Sequence, residues 1–261
     1  MATILRNGKI SLIGRALILM LLFCTVALYG ADNPLIAHWP LDEGEGLAIK
    51  DKSGNGHHGM ILRDGKNTAW TEGREGKALE FIPNRLEKGE IGCIKVPITA
   101  QYDLSKGLTI ETWVKFTTVD SNKPKATRFM ILFNGPTTTG TGFRLYYAWR
   151  ALYFEIGKTS EQNAISVFAP PQFRPGVWYF LTATYDGSAA RLFLDGKELT
   201  VRVQEAGKRN EEYQKPLIIS QGRKEFYIGA IPGAYGMEGI ISDLKLYNVA
   251  RTPTQILDDM K

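Results

Sequence analysis

Four things are scarce in this 261-residue chain: thiols, histidines, acids near the N-terminus and apolar runs long enough to cross a bilayer. No acid precedes residue 31, whereas Arg6, Lys9 and Arg15 do. The apolar run from Ala16 to Leu28 is short for a hydrocarbon layer of ~30 Å but has the length of a signal-peptide core. Small residues Gly30 and Ala31 follow it, so cleavage is expected near Ala31. Residues 1–31 then form a signal peptide and residues 34–261 the mature domain, with no membrane span after cleavage. An uncleaved membrane anchor is the alternative. Bulky Phe23 precedes Cys24, which argues against lipid attachment there.

Without that segment Cys93 is the one thiol, so no intrachain disulfide can form. The domain must be held by its own core, and ~230 residues suffice for that. The formal charge of +5 shrinks as well, because 29 basic side chains then face 27 acidic ones. A balance so near neutral argues against a nucleic-acid binder, which carries a concentrated basic face. Zinc needs three or four convergent ligands. His57 and His58 are adjacent and would point opposite ways on an extended segment. The reading for His58 is packing or a hydrogen bond near its own loop. No Gly-x-Ser-x-Gly elbow and no phosphate-cradling glycine loop is present either.

What is abundant is short apolar segments between turn residues, with 27 glycines and 12 prolines to supply the turns. Strands are predicted at 35–39, 59–62, 78–81, 91–96, 108–116, 128–133, 142–148, 151–156, 164–168, 178–185, 190–194, 217–219, 226–228 and 239–247. In 108–116 the alternation sets Leu108, Ile110, Thr112, Val114 and Phe116 on one face. Asp195-Gly196 predicts a tight hairpin turn. Thr252-Pro253-Thr254-Gln255 reads as a capping-box start for a helix over about 253–260. The polar stretch 202–215 reads as a long loop, and Trp39, Trp113 and Trp178 as core residues. The fold class is therefore all-β: an antiparallel two-sheet β-sandwich, or jelly roll, with a short C-terminal helix.

Five segments sharpen this. They are His38–Gly46 (HWPLDEGEG), Asp51–Gly59 (DKSGNGHHG), Gly76–Phe81 (GKALEF) followed by Leu108–Lys115 (LTIETWVK), Gly176–Gly187 (GVWYFLTATYDG) running into Leu194–Lys197 (LDGK), and Gly239–Asn248 (GIISDLKLYN). In this order the chain resembles the laminin G-like jelly-roll domains of the concanavalin A-like lectin/glucanase superfamily. The resemblance covers residues 35–261 and implies two packed antiparallel sheets with the first and last strands adjacent. It does not fix function, since lectins, adhesion modules, hydrolases and lyases share this fold.

The resemblance also implies a structural calcium ion tying the 51–56 loop to the last long strand. Asp51 and Asp243 would supply carboxylates, with Asn55 and Gly56 offering amide or backbone oxygens. Calcium takes six to eight oxygens in flexible geometry. The chain departs from many relatives in carrying Ser242 where they have a second acid. The competing reading of Asp51–Gly56 is an Asx-type turn whose carboxylate is satisfied by backbone N–H groups.

A glycan-cleaving jelly roll needs two carboxylates ~5–10 Å apart, and the related glucanases place them as Glu-x-Asp-x-x-Glu on one strand. That spacing is absent here, and Glu111 and Glu155 have no acidic partner at i±2. The alginate-lyase strand motifs are absent too, so the chain is read as a non-enzyme. Sugar binding by such folds combines aromatic rings with a few polar side chains. The densest aromatic region is Phe143–Glu155. Alternation sets Phe143, Leu145 and Tyr147 on one face and Arg144, Tyr146 and Ala148 on the other, with Trp149 and Tyr153 near the turn. Arg144, Tyr146, Trp149 and Tyr153 are the candidate ligand residues; core packing of these rings is the alternative. The sequence thus reads as a secreted or extracytoplasmic recognition module. The expected partner is glycan, with an extracellular protein as the alternative and a polysaccharide hydrolase or lyase as a third, weaker reading.

Overall fold

Period-2 burial builds two sheets that close on each other. The computed structural model describes residues 33–82, 92–98, 103–104, 106–119, 129–135, 142–157, 164–205, 208–210, 224–231 and 233–261. Pro34–Lys261 forms one compact unit. In the first sheet the order is Lys197–Glu198, Ala190–Leu194, Trp178–Tyr185, Leu108–Phe116, Gly239–Tyr247, Lys77–Phe81 and Thr68–Glu72, with Leu35–Trp39 also paired to Gly239–Tyr247. In the second the order is Lys208–Asn210, Arg202–Glu205, Ala164–Ala169, Ala151–Gly157, Gly142–Ala148, Phe129–Asn134, Glu225–Ile228, Ile94–Pro97, Gly59–Ile61 and Ala48–Ile49. All these pairings are antiparallel.

Between the sheets, alternate residues of the central strands face inward, and some strands, such as Phe129–Asn134, are buried on both faces. Leu108, Ile110, Val114 and Phe116 from the first sheet meet Phe129, Phe143, Leu145, Tyr147, Phe154 and Phe226 from the second in one continuous core. Fully burying such a side chain contributes roughly 1.5–3 kcal/mol. The first and last strands are neighbours, with Trp39 opposite Leu244 and His38 opposite Lys245. The helix Pro253–Asp259 starts with a complete capping box: the Thr252 hydroxyl accepts from the Gln255 N–H, and the Gln255 amide accepts from the Thr252 N–H. Its Ile256 is buried against Phe180 and Phe193, on the outer face of the first sheet.

Six predicted strands have the predicted ends: 35–39, 108–116, 142–148, 178–185, 190–194 and 239–247. Three readings need correction. The stretch 202–215 is not all loop, because Arg202–Glu205 pairs with Ala164–Ala169 and turns back onto Lys208–Asn210. Thr68–Glu72 is an unpredicted strand on a sheet edge. Of the three tryptophans, Trp39 is core, whereas Trp113 and Trp178 lie half-buried on the outer face of the first sheet, under Arg74 and Lys115 respectively. The predicted strand 217–219 lies outside the described residues. Among the described residues no helix is long and apolar enough to cross a membrane.

Candidate functional site

Strand register places the aromatic candidates on the outer face of the second sheet. Opposed residues of an antiparallel pair point to the same face. One row across the strands is Arg202, Phe168, Tyr153, Tyr146 and Met130. The adjacent row of the same face is Ser166, Glu155, Arg144, Phe133, Tyr227 and Lys95. Phe143, Leu145 and Tyr147 point the other way, into the core. The predicted division of the Gly142–Ala148 strand into two faces is the one observed.

The rings on this face stack on one another. Tyr146 and Tyr153 are parallel at 5.0 Å between centroids, and Tyr153 and Phe168 are stacked at 5.2 Å. Stacked neighbours occupy each other's faces and present edges outward. Tyr146 is buried, and its hydroxyl donates to Glu155 Oε1. Arg144 sets Nε and Nη2 on Glu155 Oε2 and lies over the Tyr146 ring at 5.4 Å. Its Nη1 is buried with no hydrogen-bond partner. Glu155 is thus engaged at both oxygens by its own sheet. Sequence reasoning gave Glu155 and Arg202 no role in the site and missed Phe168, because their partners lie across strands rather than at i±2.

Trp149 differs from the others. It is 59% exposed, and its ring stands edge-on to Tyr153 at 5.8 Å with an interplanar angle of 82°. It occupies the two-residue turn between Ala148 and Ala151, where Trp149 has φ 48° and Arg150 φ 62°. Both central residues need positive φ in such a turn, and a bulky side chain there is a real outlier costing on the order of 1–3 kcal/mol. Strain of this kind clusters at ligand-gripping sites.

The second candidate region is the Asp51 loop. Asp51 Oδ1 accepts from the N–H groups of His38 (2.9 Å) and Ser53 (2.8 Å). Its Oδ2 accepts from the Ser53 hydroxyl (2.8 Å) and the His57 N–H (2.9 Å). Burial alone would raise the Asp51 pKa; these four donors outweigh it and hold the carboxyl below its ordinary value. Asn55 donates to the carbonyls of Leu35 and Ile36. The Asp51 N–H donates to His58 Nδ1 (3.0 Å), which is the local role predicted for that histidine. Asp243 sits in a bulge of the last long strand, at φ 50°, and the bulge re-aims its side chain toward the loop. There His38 Nε2 donates to Asp243 Oδ1 at 2.6 Å, and Lys245 lies 3.0 Å from Oδ2. Burial raises the Asp243 pKa, but the His38 hydrogen bond and Lys245 together pull it below the usual range.

His38 therefore joins the two corners that the resemblance would join through calcium. A carboxylate has about four lone-pair sites, and on Asp51 all four are taken by donors. A lysine ammonium stands on Asp243, and no cluster of three or more His, Cys, Asp or Glu forms among the described residues. As arranged, Asp51 is satisfied within its own turn, Asp243 is engaged by His38 and Lys245, and the Asn55 amide nitrogen is turned to backbone carbonyls.

One carboxyl pair escaped the linear search. Glu111, fully buried on the outer face of the first sheet, faces Asp259 of the C-terminal helix. Burial first, and then the Asp259 carboxylate, push its pKa up to about 9. Neither Glu111 oxygen has a hydrogen-bond partner at ordinary distance. Arg251 pairs with Asp259, and the Tyr247 hydroxyl donates to it. Glu111 is fully buried beneath the helix, while the Asp259 side chain keeps 20% of its surface exposed.

Comparison with known proteins agrees with this architecture. Residues 92–257 match a family model, Laminin_G_3, described as the concanavalin A-like lectin/glucanases superfamily. Pappalysin-1 of Homo sapiens is 28% identical over 109 residues, and that of Mus musculus 27% over 109. The match spans 42% of this chain and only 6% of either pappalysin. Among solved structures, domain 4 of AbnA, a GH43 extracellular arabinanase from Geobacillus stearothermophilus in complex with arabinotriose, is similar with a TM-score of 0.57 at 18% identity, covering 87% of this chain and 98% of that one. The binding domain of botulinum neurotoxin DC in complex with rat synaptotagmin II reaches 0.63 at 12%, covering 87% and 51%. The binding domain of Paraclostridial Mosquitocidal Protein 1 reaches 0.61 at 13%, covering 87% and 52%. From its core register to its family match, this chain belongs to the concanavalin A-like lectin/glucanases superfamily.

Proposed function

We propose that the protein is an exported, non-catalytic recognition module that binds glycan at the Trp149 turn. The observation that carries this is an indole more than half exposed, held in a strained turn above a wall of stacked rings. Sugar C–H faces are apolar and stack on aromatic faces. Here the exposed Trp149 ring supplies the stacking surface, with Tyr153 and Phe168 beside it. The similar AbnA domain was solved with arabinotriose bound, which supports a sugar ligand for this architecture. The non-catalytic reading rests on where the strand acids are: Glu155 is tied to Arg144 and Tyr146, and Glu111 lies beneath the helix.

The test is affinity electrophoresis of the full chain through a panel of soluble polysaccharides. Retardation by at least one polymer is expected, and Trp149→Ala should lower that affinity by roughly tenfold or more, one ring stacking being worth about 1–3 kcal/mol. A folded chain retarded by none would overturn the reading in favour of a protein partner, the kind of complex seen in the similar synaptotagmin-bound domain.

A further inference from the structure

The helix 253–259 covers a patch of polar atoms that its sheet does not satisfy. Glu111 lies beneath it, opposite Thr182 in one neighbouring strand and Lys245 in the other. Among the described residues, both Glu111 oxygens, the Thr182 hydroxyl and Arg251 Nε are buried with no hydrogen-bond partner at ordinary distance. The helix brings Asp259 to face Glu111, and Asp259 is held in turn by Arg251 and the Tyr247 hydroxyl. Lys245 is turned to Asp243 at 3.0 Å, and Asp258 pairs with Lys261 at the surface. Two carboxyls therefore meet largely out of water, with the guanidinium engaged on the outer one. Like charges so placed oppose each other's ionisation, and burial together with Asp259 pushes the Glu111 pKa up to about 9.

What else holds the helix down is slight. Ile256 is its one buried residue, set against Phe180 and Phe193. The capping box joins Thr252 to Gln255 and so does not tie the helix to the sheet. A helix this short is marginal in water by itself. The chain just before it is pinned, because Thr109 Oγ1 donates to the Val249 carbonyl at 2.7 Å and accepts from the Arg251 N–H at 2.9 Å. Movement of the helix would therefore turn on Thr252, just past that pin. We infer that the helix is a latch held by a proton: it lies on the first sheet while Glu111 carries that proton, and it leaves the sheet when the proton leaves, hydrating both carboxylates and uncovering Phe180 and Phe193. An undocked Glu111 ionises at the ordinary carboxylate pH, whereas the docked one keeps its proton. Raising the pH from 4.5 toward about 9 thus favours the open form, by up to about tenfold per pH unit.

The experiment is amide hydrogen exchange of the full chain beside Glu111→Gln, from about pH 6 to about pH 9, within the window where the linkage acts. Comparing the two proteins at one pH cancels the intrinsic exchange rate. At every pH the amides of residues 254–260 should be about tenfold or more less protected than those of Trp178–Tyr185, as expected if the helix opens while the sandwich stays folded. The ratio of wild-type to variant exchange rates in the helix should climb by up to about tenfold per pH unit. Ile256→Ser removes the apolar anchor, so its helix amides should exchange freely and its denaturant stability should lose the pH slope that Glu111 otherwise gives. Equal protection of helix and strand would overturn the latch, because the opening would then be global. So would an exchange ratio flat with pH, or a slope that survives in Ile256→Ser with the helix amides unprotected.

Discussion

Each sheet of this sandwich contains a hairpin closed by two residues of positive φ, and the two turns are built from opposite materials. Asp195-Gly196 joins the hairpin of the first sheet at φ 50° and 75°. Trp149-Arg150 joins that of the second at φ 48° and 62°. The first pair is what the backbone prefers, since glycine pays no steric penalty there and aspartate tolerates it well. Asp195 adds a bond from the Phe180 N–H to its Oδ1 at 2.8 Å. The second pair is close to the worst choice for the backbone and leaves a large ring in water. The outer faces differ in the same sense: on the first sheet the helix 253–259 covers Phe180 and Phe193, while Trp149 on the second stays exposed. The first sheet shows how this fold is closed for stability; the second shows where stability is given up for an exposed ring.

The largest expected effect lies on the closed side. Glu111 has a folded pKa of about 9 against an ordinary 4.5. Below pH 4.5 both folded and unfolded states hold its proton and it costs nothing. Between 4.5 and about 9 the unfolded chain releases a proton that the folded chain retains, so stability falls by about 1.4 kcal/mol per pH unit. Glu111→Gln removes that slope. Denaturant unfolding should show the variant more stable by up to about 3 kcal/mol at neutral pH, with the gain vanishing near pH 4.5. A gain independent of pH would mean that burial and the Asp259 carboxylate do not hold Glu111 protonated against the opposing pull of Arg251 and Lys245.

The turns themselves come next. Trp149→Asn puts a residue tolerant of positive φ in the strained site and removes the ring. We expect stability to rise by about 1 kcal/mol while glycan affinity falls. The mirror experiment is Gly196→Ala, where a Cβ would meet Leu257 Cδ2 at 2.4 Å and φ is unfavourable; a loss of about 1 kcal/mol is expected. If both substitutions shift the thermal midpoint in the same direction, the two turns are not the opposites their dihedrals suggest. The smallest effect concerns the loop that the resemblance furnishes with calcium. With Asp51 saturated by N–H and O–H donors, adding calcium or a chelator should leave the melting midpoint unmoved. A concentration-dependent rise with calcium would show that the ion displaces those bonds. His38→Gln, by contrast, removes the link to Asp243 and should lower the midpoint measurably.

Legibility in the sequence followed burial. Leu108–Phe116 and Gly239–Tyr247 were readable end to end because one face of each is driven into the core and the alternation records it. Thr68–Glu72 (TAWTE) carries no such record: it is an edge strand with no fully buried residue, held by backbone pairing to Lys77–Phe81. Arg202–Glu205 is likewise polar and owes its conformation to Ala164–Ala169. Alternation also placed Arg144 and Tyr146 on the face opposite Leu145, and proximity to the turn marked Trp149 and Tyr153. It carried no sign that Tyr146 and Tyr153 would spend their faces on each other, or that Glu155 would be held from across the strand.

Local chemistry by itself determined the alternation, the Asp195-Gly196 turn and the Thr252 cap, because each depends on residues a few positions apart, and the order of five short segments carried the family likeness. Tertiary structure alone decided which aromatic ring stays exposed, why Glu111 keeps its proton, and that His38 links Asp51 to Asp243. Those outcomes depend on contacts across strands and on exclusion of water, and neither is written in the spacing of residues along one strand.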